Sequence, residues 1–230
     1  MSAPQILGLP RASLAVLSKE LRVEFRSFEL LISTIVFSLI VVSLFSFTLD
    51  PTPDESRRFG PGLIWIALLF AASLMFQTSF SRERTNDTLA GLRLTPIDPA
   101  AILAGKILAN FCFLALVEAV LLPIFAVLYD VPLAPVAGAL AIVLLLGTLG
   151  IATVGTVFSG VASHARMREV LLPLLMLPAL VPLLIGSTLA MAGLLDETPY
   201  LDRGWLVFLV AFDVIFLTAT WLFGSYLLEE

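Results

Sequence analysis

Apolar residues run through this chain in long unbroken stretches rather than alternating with polar ones. Six stretches reach the roughly 20 residues that an α-helix needs to cross a ~30 Å hydrocarbon layer: Leu30–Leu49, Pro61–Phe80, Ala100–Leu128, Pro135–Gly160, Val170–Leu195 and Gly204–Leu228. None shows the period-two alternation of lipid-facing β-strands. The pattern predicts an all-α polytopic membrane protein with six transmembrane helices. Span three carries Lys106 and Glu118 and span six carries Asp213. A central acid costs roughly 2.5–3.5 kcal/mol on insertion scales, against about 0.3–0.6 gained per Leu, Ile, Phe or Val. The surrounding apolar residues outweigh it.

Two segments depart from this pattern. In "LAVLSKELRVEFRSFELL" the residues Leu14, Leu17, Leu21, Phe25 and Phe28 recur at steps of three and four, with Ser18, Lys19, Arg22, Arg26 and Glu29 mostly on the other side. This spacing predicts an amphipathic helix lying in the membrane interface, either as a simple anchor or as a docking surface for a cytoplasmic partner. The chain therefore divides into an N-terminal segment, residues 1–29, and a six-helix domain, residues 30–230. The second segment, "SRERTNDTLAGLRLTPIDPAAILAGK", lies between spans two and three. Thr88, Leu89 and Leu92 share a helical face, while Asp87 and Arg93 lie toward others. Thr95 precedes a proline and so ends this short helix. Asp98 followed by Pro99 reads as an N-cap with proline at the first helical position, which starts span three afresh. Lys106, two turns further on, is placed to return its ammonium to the interface.

Composition agrees with the periodicity: 59% of the 230 residues are hydrophobic and 13% are charged, about half the charged share of a soluble domain. The net charge of −5 matters less than its distribution. Arg11, Lys19, Arg22, Arg26, Arg82, Arg84, Arg93, Arg166, Arg168 and the nearby Lys106 fall on one face, and Arg57, Arg58 and Arg203 on the other. By the positive-inside rule both termini are expected in the cytoplasm. No short apolar core with a small-residue cleavage site precedes Leu30, so the first span is expected to be retained.

Within the membrane, span four places Thr148, Ala152, Thr156 and Gly160 at strict four-residue spacing. Small residues along one face let helix backbones approach closely, here within the chain or between two copies. Span five holds Pro173, Pro178 and Pro182, each removing one helical hydrogen bond. A hinge or a broken helix is expected there, with a static kink as the alternative. Glu118 and Asp213 are the acids deep in apolar runs. They read either as an ion or proton path or as carboxyls that tie helices together.

Catalytic signatures are missing. The chain has no GxxxxGK[ST] phosphate loop, HExxH, GxSxG or paired-cysteine motif, and Cys112 stands alone inside span three. No catalytic, metal or cofactor site is expected, and no nucleic-acid partner.

The entry helix around "KELRVEFR", the six spans and the short helix after span two resemble an ABC-2-like export permease. More specifically, "PGLIWIALLFAASL", "RERTNDTLAGLRLTPIDPAAILAGK", "LLLGTLGIATVGTVFSG" and "LLPLLMLPALVPLLI" are similar to the CcmB family, the permease subunit of the cytochrome c maturation machinery. The resemblance covers nearly the whole chain. It implies a bacterial inner-membrane complex with an ATPase subunit, CcmA, with a second copy of the permease, and with CcmC and CcmD. That complex uses ATP to free the haem-loaded chaperone CcmE, with haem and ATP held by partners. It also implies that the segment bearing Arg84, Asp87, Thr88, Leu89, Leu92 and Arg93 is the coupling helix that meets the ATPase. It assigns no role to Glu118 or Asp213. Two other readings stand beside it: an exporter permease for lipid, sugar or drug, and an ion-coupled carrier using the two acids. The absence of inverted internal repeats counts against the carrier.

Overall fold

In the computed structural model, residues 9–49, 51–79, 99–163 and 167–229 are described. The segment expected to form the coupling helix, with Arg84, Asp87, Thr88, Leu89, Leu92 and Arg93, lies outside the described residues, as do Thr95 and Asp98. The helices are α1 (Leu9–Ser27), α2 (Glu29–Leu49), α3 (Pro53–Ser79), α4 (Pro99–Leu128), α5 (Ala137–Ser163, led by a 3-10 turn at Ala134–Val136), α6 (Arg168–Leu195) and α7 (Arg203–Glu229). Among the described residues, α2 to α7 are each long and apolar enough to cross a membrane. The chain is a multi-pass membrane protein. The face carrying α1 is called the near face and the opposite one the far face.

Helix α3 begins two turns before the expected Pro61. Thr52 and Glu55 form a reciprocal cap, with Thr52 N 2.9 Å from Glu55 Oε2 and Glu55 N 3.4 Å from Thr52 Oγ1, and Pro53 occupies the first helical position. This cap carries the charged run Asp54–Arg58 as helix beyond the apolar part, so Pro61 falls inside α3 rather than at its start. Between α1 and α2 the chain turns at Phe28, whose φ of 55° is left-handed and unfavourable for a bulky residue. The Glu24 carboxylate accepts the Leu31 N–H at 3.0 Å, capping α2, while the Phe28 ring packs edge-on against Phe25.

Helix α5 is central, packed by α4, α3, α6 and α7, whereas α2 and α7 keep most of their surface outside the protein core. Glycines let α5 be surrounded. A side chain at Gly147 would enter the Trp65 ring of α3, one at Gly155 the Phe76 ring, and one at Gly150 would come within 2.6 Å of Leu183 on α6. Close backbone approach of this kind is how helices associate in lipid. Helix α6 runs unbroken through Pro173, Pro178 and Pro182, which corrects the expectation of a broken helix. Packing on α3 and α5 supports it, as neighbouring helices do for membrane helices that contain proline.

At the far face α2 and α4 are joined by Tyr129, whose hydroxyl donates to Val42 O at 3.0 Å and whose ring stacks on Phe125. At the near face Ser159 Oγ of α5 donates to Phe76 O of α3 at 2.7 Å. These ties fix the depth of α2 against α4 and of α3 against α5.

Candidate functional site

Among the described residues, a cluster of polar contacts is built at the near-face junction of α1 with α4, where the segment of residues 81–98 leads into α4. Gly105 brings the two backbones together: a Cβ there would sit 2.6 Å from Val16 Cβ and 2.7 Å from Ser13 O. One residue on, Lys106 Nζ lies 3.1 Å from Glu20 Oε1, and Lys19 Nζ lies 3.4 Å from the same oxygen. Burial pushes the Glu20 carboxyl up, but Lys106 and then Lys19 outweigh it and hold it below the usual carboxylate range. With Glu24 capping α2 from the same helix, α1 joins the starts of α2 and α4.

This arrangement corrects two expectations. Lys106 does not snorkel: it is 1% exposed, because α1 fills the path to the interface and supplies a carboxylate. Nor does α1 simply rest its apolar stripe on lipid. Ala12, Ser13, Val16 and Glu24 are buried against the protein; Leu17 and Leu21 pack at the edge of the core, while Leu14, Phe25 and Phe28 stay exposed. Helix α1 occupies a corner, with one side on protein, one toward lipid and a third carrying Arg11, Arg22 and Arg26.

Deeper along α4, Asn110 Nδ2 donates to Thr156 Oγ1 at 2.9 Å, and Thr156 Oγ1 donates to Ala152 O at 2.6 Å. Glu118 accepts a hydrogen bond from Thr148 Oγ1. The small-residue stripe Thr148, Ala152, Thr156 and Gly160 is thus buried, and its two threonines face α4 of the same chain. Of the two intramembrane acids, Glu118 ties α4 to α5. Asp213 on α7 is buried beside Gly150, with neither oxygen hydrogen-bonded among the described residues. The structure does not bring the acids together: they approach α5 from different helices. Sequence reasoning missed Glu20, Glu24, Gly105 and Asn110. A lysine inside an apolar span requires a counter-charge, and Glu20 and Glu24, one turn apart on the preceding helix, were the available signal.

Polar groups at Lys106, Asn110 and Glu118 therefore link α4 to α1 on one side and α5 on the other. Six spans with a juxtamembrane helix locked onto the third define a permease-type membrane subunit. The family model described as "CcmB protein" matches residues 11–224. The chain is 30% identical over 205 residues to "Heme exporter protein B" of Pseudomonas aeruginosa, covering 89% of this chain and 91% of that one. It is 31% identical over 191 residues to the protein of the same name from Haemophilus influenzae (81% and 84% covered), and 33% over 180 residues to that of Rhodobacter capsulatus (78% and 82%). The chain belongs to the CcmB family.

Proposed function

We propose that this chain is the membrane permease subunit of an ABC-type complex in cytochrome c biogenesis, and that it couples ATP hydrolysis on a separate subunit to haem delivery or release of the haem-loaded chaperone. The observation that carries this reading is the match, along nearly the whole chain, to relatives named heme exporter protein B. On it the chain itself is non-catalytic and sits in the bacterial inner membrane with both termini and the near face in the cytoplasm. Its partners are a CcmA-like ATPase, a second copy, CcmC-like and CcmD-like membrane subunits and the chaperone CcmE. Haem and ATP are handled by partners rather than held as cofactors here.

The α1–α4 junction supports a mechanical role. A push delivered through the segment carrying Leu89 and Leu92 reaches Pro99, and α4 carries it to α1 through Lys106 and to α5 through Asn110 and Glu118. Pro173, Pro178 and Pro182 then each remove one internal hydrogen bond from α6, which eases its bending. The test is copurification of the chain with an ATPase subunit, together with haem staining of cytochromes in cells carrying Leu92→Asp. Wild-type copurification lost in the variant, with cytochromes lost too, is the expected result. A wild-type chain that matures cytochromes without any bound ATPase overturns the reading.

A further inference from the structure

At the far face a groove of about 1050 Å³ opens between α4 and α5. Its walls are one helical face from each: Leu122, Pro123, Ala126 and Val127 on α4, and Ala137, Leu140, Ala141 and Leu144 on α5. Alanines where larger residues would fill the space make it a recess. From Ala134 at the rim to Leu144 at the floor is ten residues, roughly 15 Å of helix at 1.5 Å per residue. That is half of a ~30 Å hydrocarbon core, the depth of one leaflet.

The rim carries both signs of charge. Arg57, in the second turn of α3, and Asp130, in the turn after α4, both line the groove. No ion pair or hydrogen bond engages either side chain among the described residues. An apolar slot one leaflet deep, with a guanidinium and a carboxylate at its mouth, matches a zwitterionic phospholipid whose headgroup bears a phosphate and a primary ammonium. Guanidinium binds phosphate through paired charge-assisted hydrogen bonds, and a carboxylate accepts from an ammonium. We infer that this groove is a binding site for a phosphatidylethanolamine-type lipid of the far leaflet, with an acyl chain between α4 and α5 and the headgroup between Arg57 and Asp130. A second copy would have to offer the groove an apolar side chain and still satisfy Arg57 and Asp130, whereas one lipid meets both demands.

The test is native mass spectrometry of the full chain in mild detergent, with phosphatidylethanolamine and phosphatidylglycerol added as probes at equal concentration. The expected result is one retained phosphatidylethanolamine per chain, with phosphatidylglycerol about tenfold weaker because it leaves Asp130 unpaired. Arg57→Gln and Asp130→Asn should each weaken phosphatidylethanolamine binding about tenfold. Ala141→Phe, which fills the slot, should abolish it at unchanged oligomeric state. Should Ala141→Phe fail to fold, the two rim variants decide by themselves, since neither side chain has a partner to lose among the described residues. Equal retention of both lipids by the wild type, or undiminished binding in the rim variants, overturns the assignment. So does a lipid-independent dimer that Ala141→Phe dissociates, which gives the groove to a second copy.

Discussion

Lys106, inside a membrane-spanning helix, holds its Nζ 3.1 Å from Oε1 of Glu20 on the juxtamembrane helix α1. The pair joins α1, which lies outside the six spans, to α4, the span that follows residues 81–98. Breaking a fully buried pair costs about 3–5 kcal/mol; here Glu20 keeps 21% of its side chain exposed, so Glu20→Gln should cost less, on the order of 2 kcal/mol. Hydrogen exchange of the α1 amides should quicken while that of α5 is unchanged. The pair also has a pH signature. A carboxyl held below its unfolded value contributes stability that is present above the ordinary Glu range and is lost as pH falls through the lowered value. After correction for intrinsic rates, α1 protection should decline over that acid window in the wild type and not in Glu20→Gln.

Asn110 and Thr156 offer a measure of polar contact in lipid. Thr156→Val removes both the acceptor for Asn110 Nδ2 and the hydroxyl that donates to Ala152. Interhelical hydrogen bonds of this kind average about 0.6 kcal/mol, with values up to about 2. A double-mutant cycle with Asn110→Leu, read by thermal unfolding in detergent, should give a coupling in that range. Strict additivity would mean that the two side chains do not meet.

Gly155 should tolerate no side chain. Gly155→Val drives a branched group into the buried Phe76 ring, and overpacking of that kind costs about 1–3 kcal/mol or more. Gly138, with nothing within 4 Å of its Cβ position, is the control. Gly138→Val should melt with the wild type, and a Gly155→Val protein melting at the same temperature would contradict the α3–α5 contact.

Glu118→Gln separates helix-tying from ion transport. Glutamine keeps the shape and an acceptor for the Thr148 hydroxyl but cannot carry a proton through the membrane. Stability and cytochrome maturation should both survive, whereas Glu118→Leu should lose stability by leaving Thr148 with no acceptor. A stable Glu118→Gln protein with no cytochrome would restore the ion-path reading.

The segment of residues 81–98, proposed to meet the ATPase, gives the prediction closest to function. Leu92→Asp places a charge where an apolar anchor is proposed to enter a soluble partner, and a good anchor is worth roughly 2 kcal/mol or more. Pull-down of the ATPase subunit should fail while membrane insertion continues. Arg93→Ala should bind more weakly and more salt-sensitively, as a rim charge does. Two glycines inserted after Asp98 should leave binding intact and uncouple hydrolysis from cytochrome maturation.

Six spans were legible in the sequence because crossing a bilayer is a local demand: about 20 apolar residues suffice, wherever the neighbours lie. The start of α3 was also legible, in the Thr52-Pro53-Asp54-Glu55 cap, but the apolar run beginning at Pro61 hid it. What each helix faces was a different matter. Lipid tails and a protein core are equally apolar, so continuous runs such as Leu144–Leu146 do not reveal which side is buried. Only the tertiary structure turned Thr148 and Thr156 toward α4, closed α3 over Gly147 and Gly155, and kept α6 whole across three prolines. It also decided the fate of Lys106. Sequence hydropathy registers the cost of a charge in an apolar span, but the Glu20 that offsets it lies 86 residues away, and that distance closes only when α1 packs on α4.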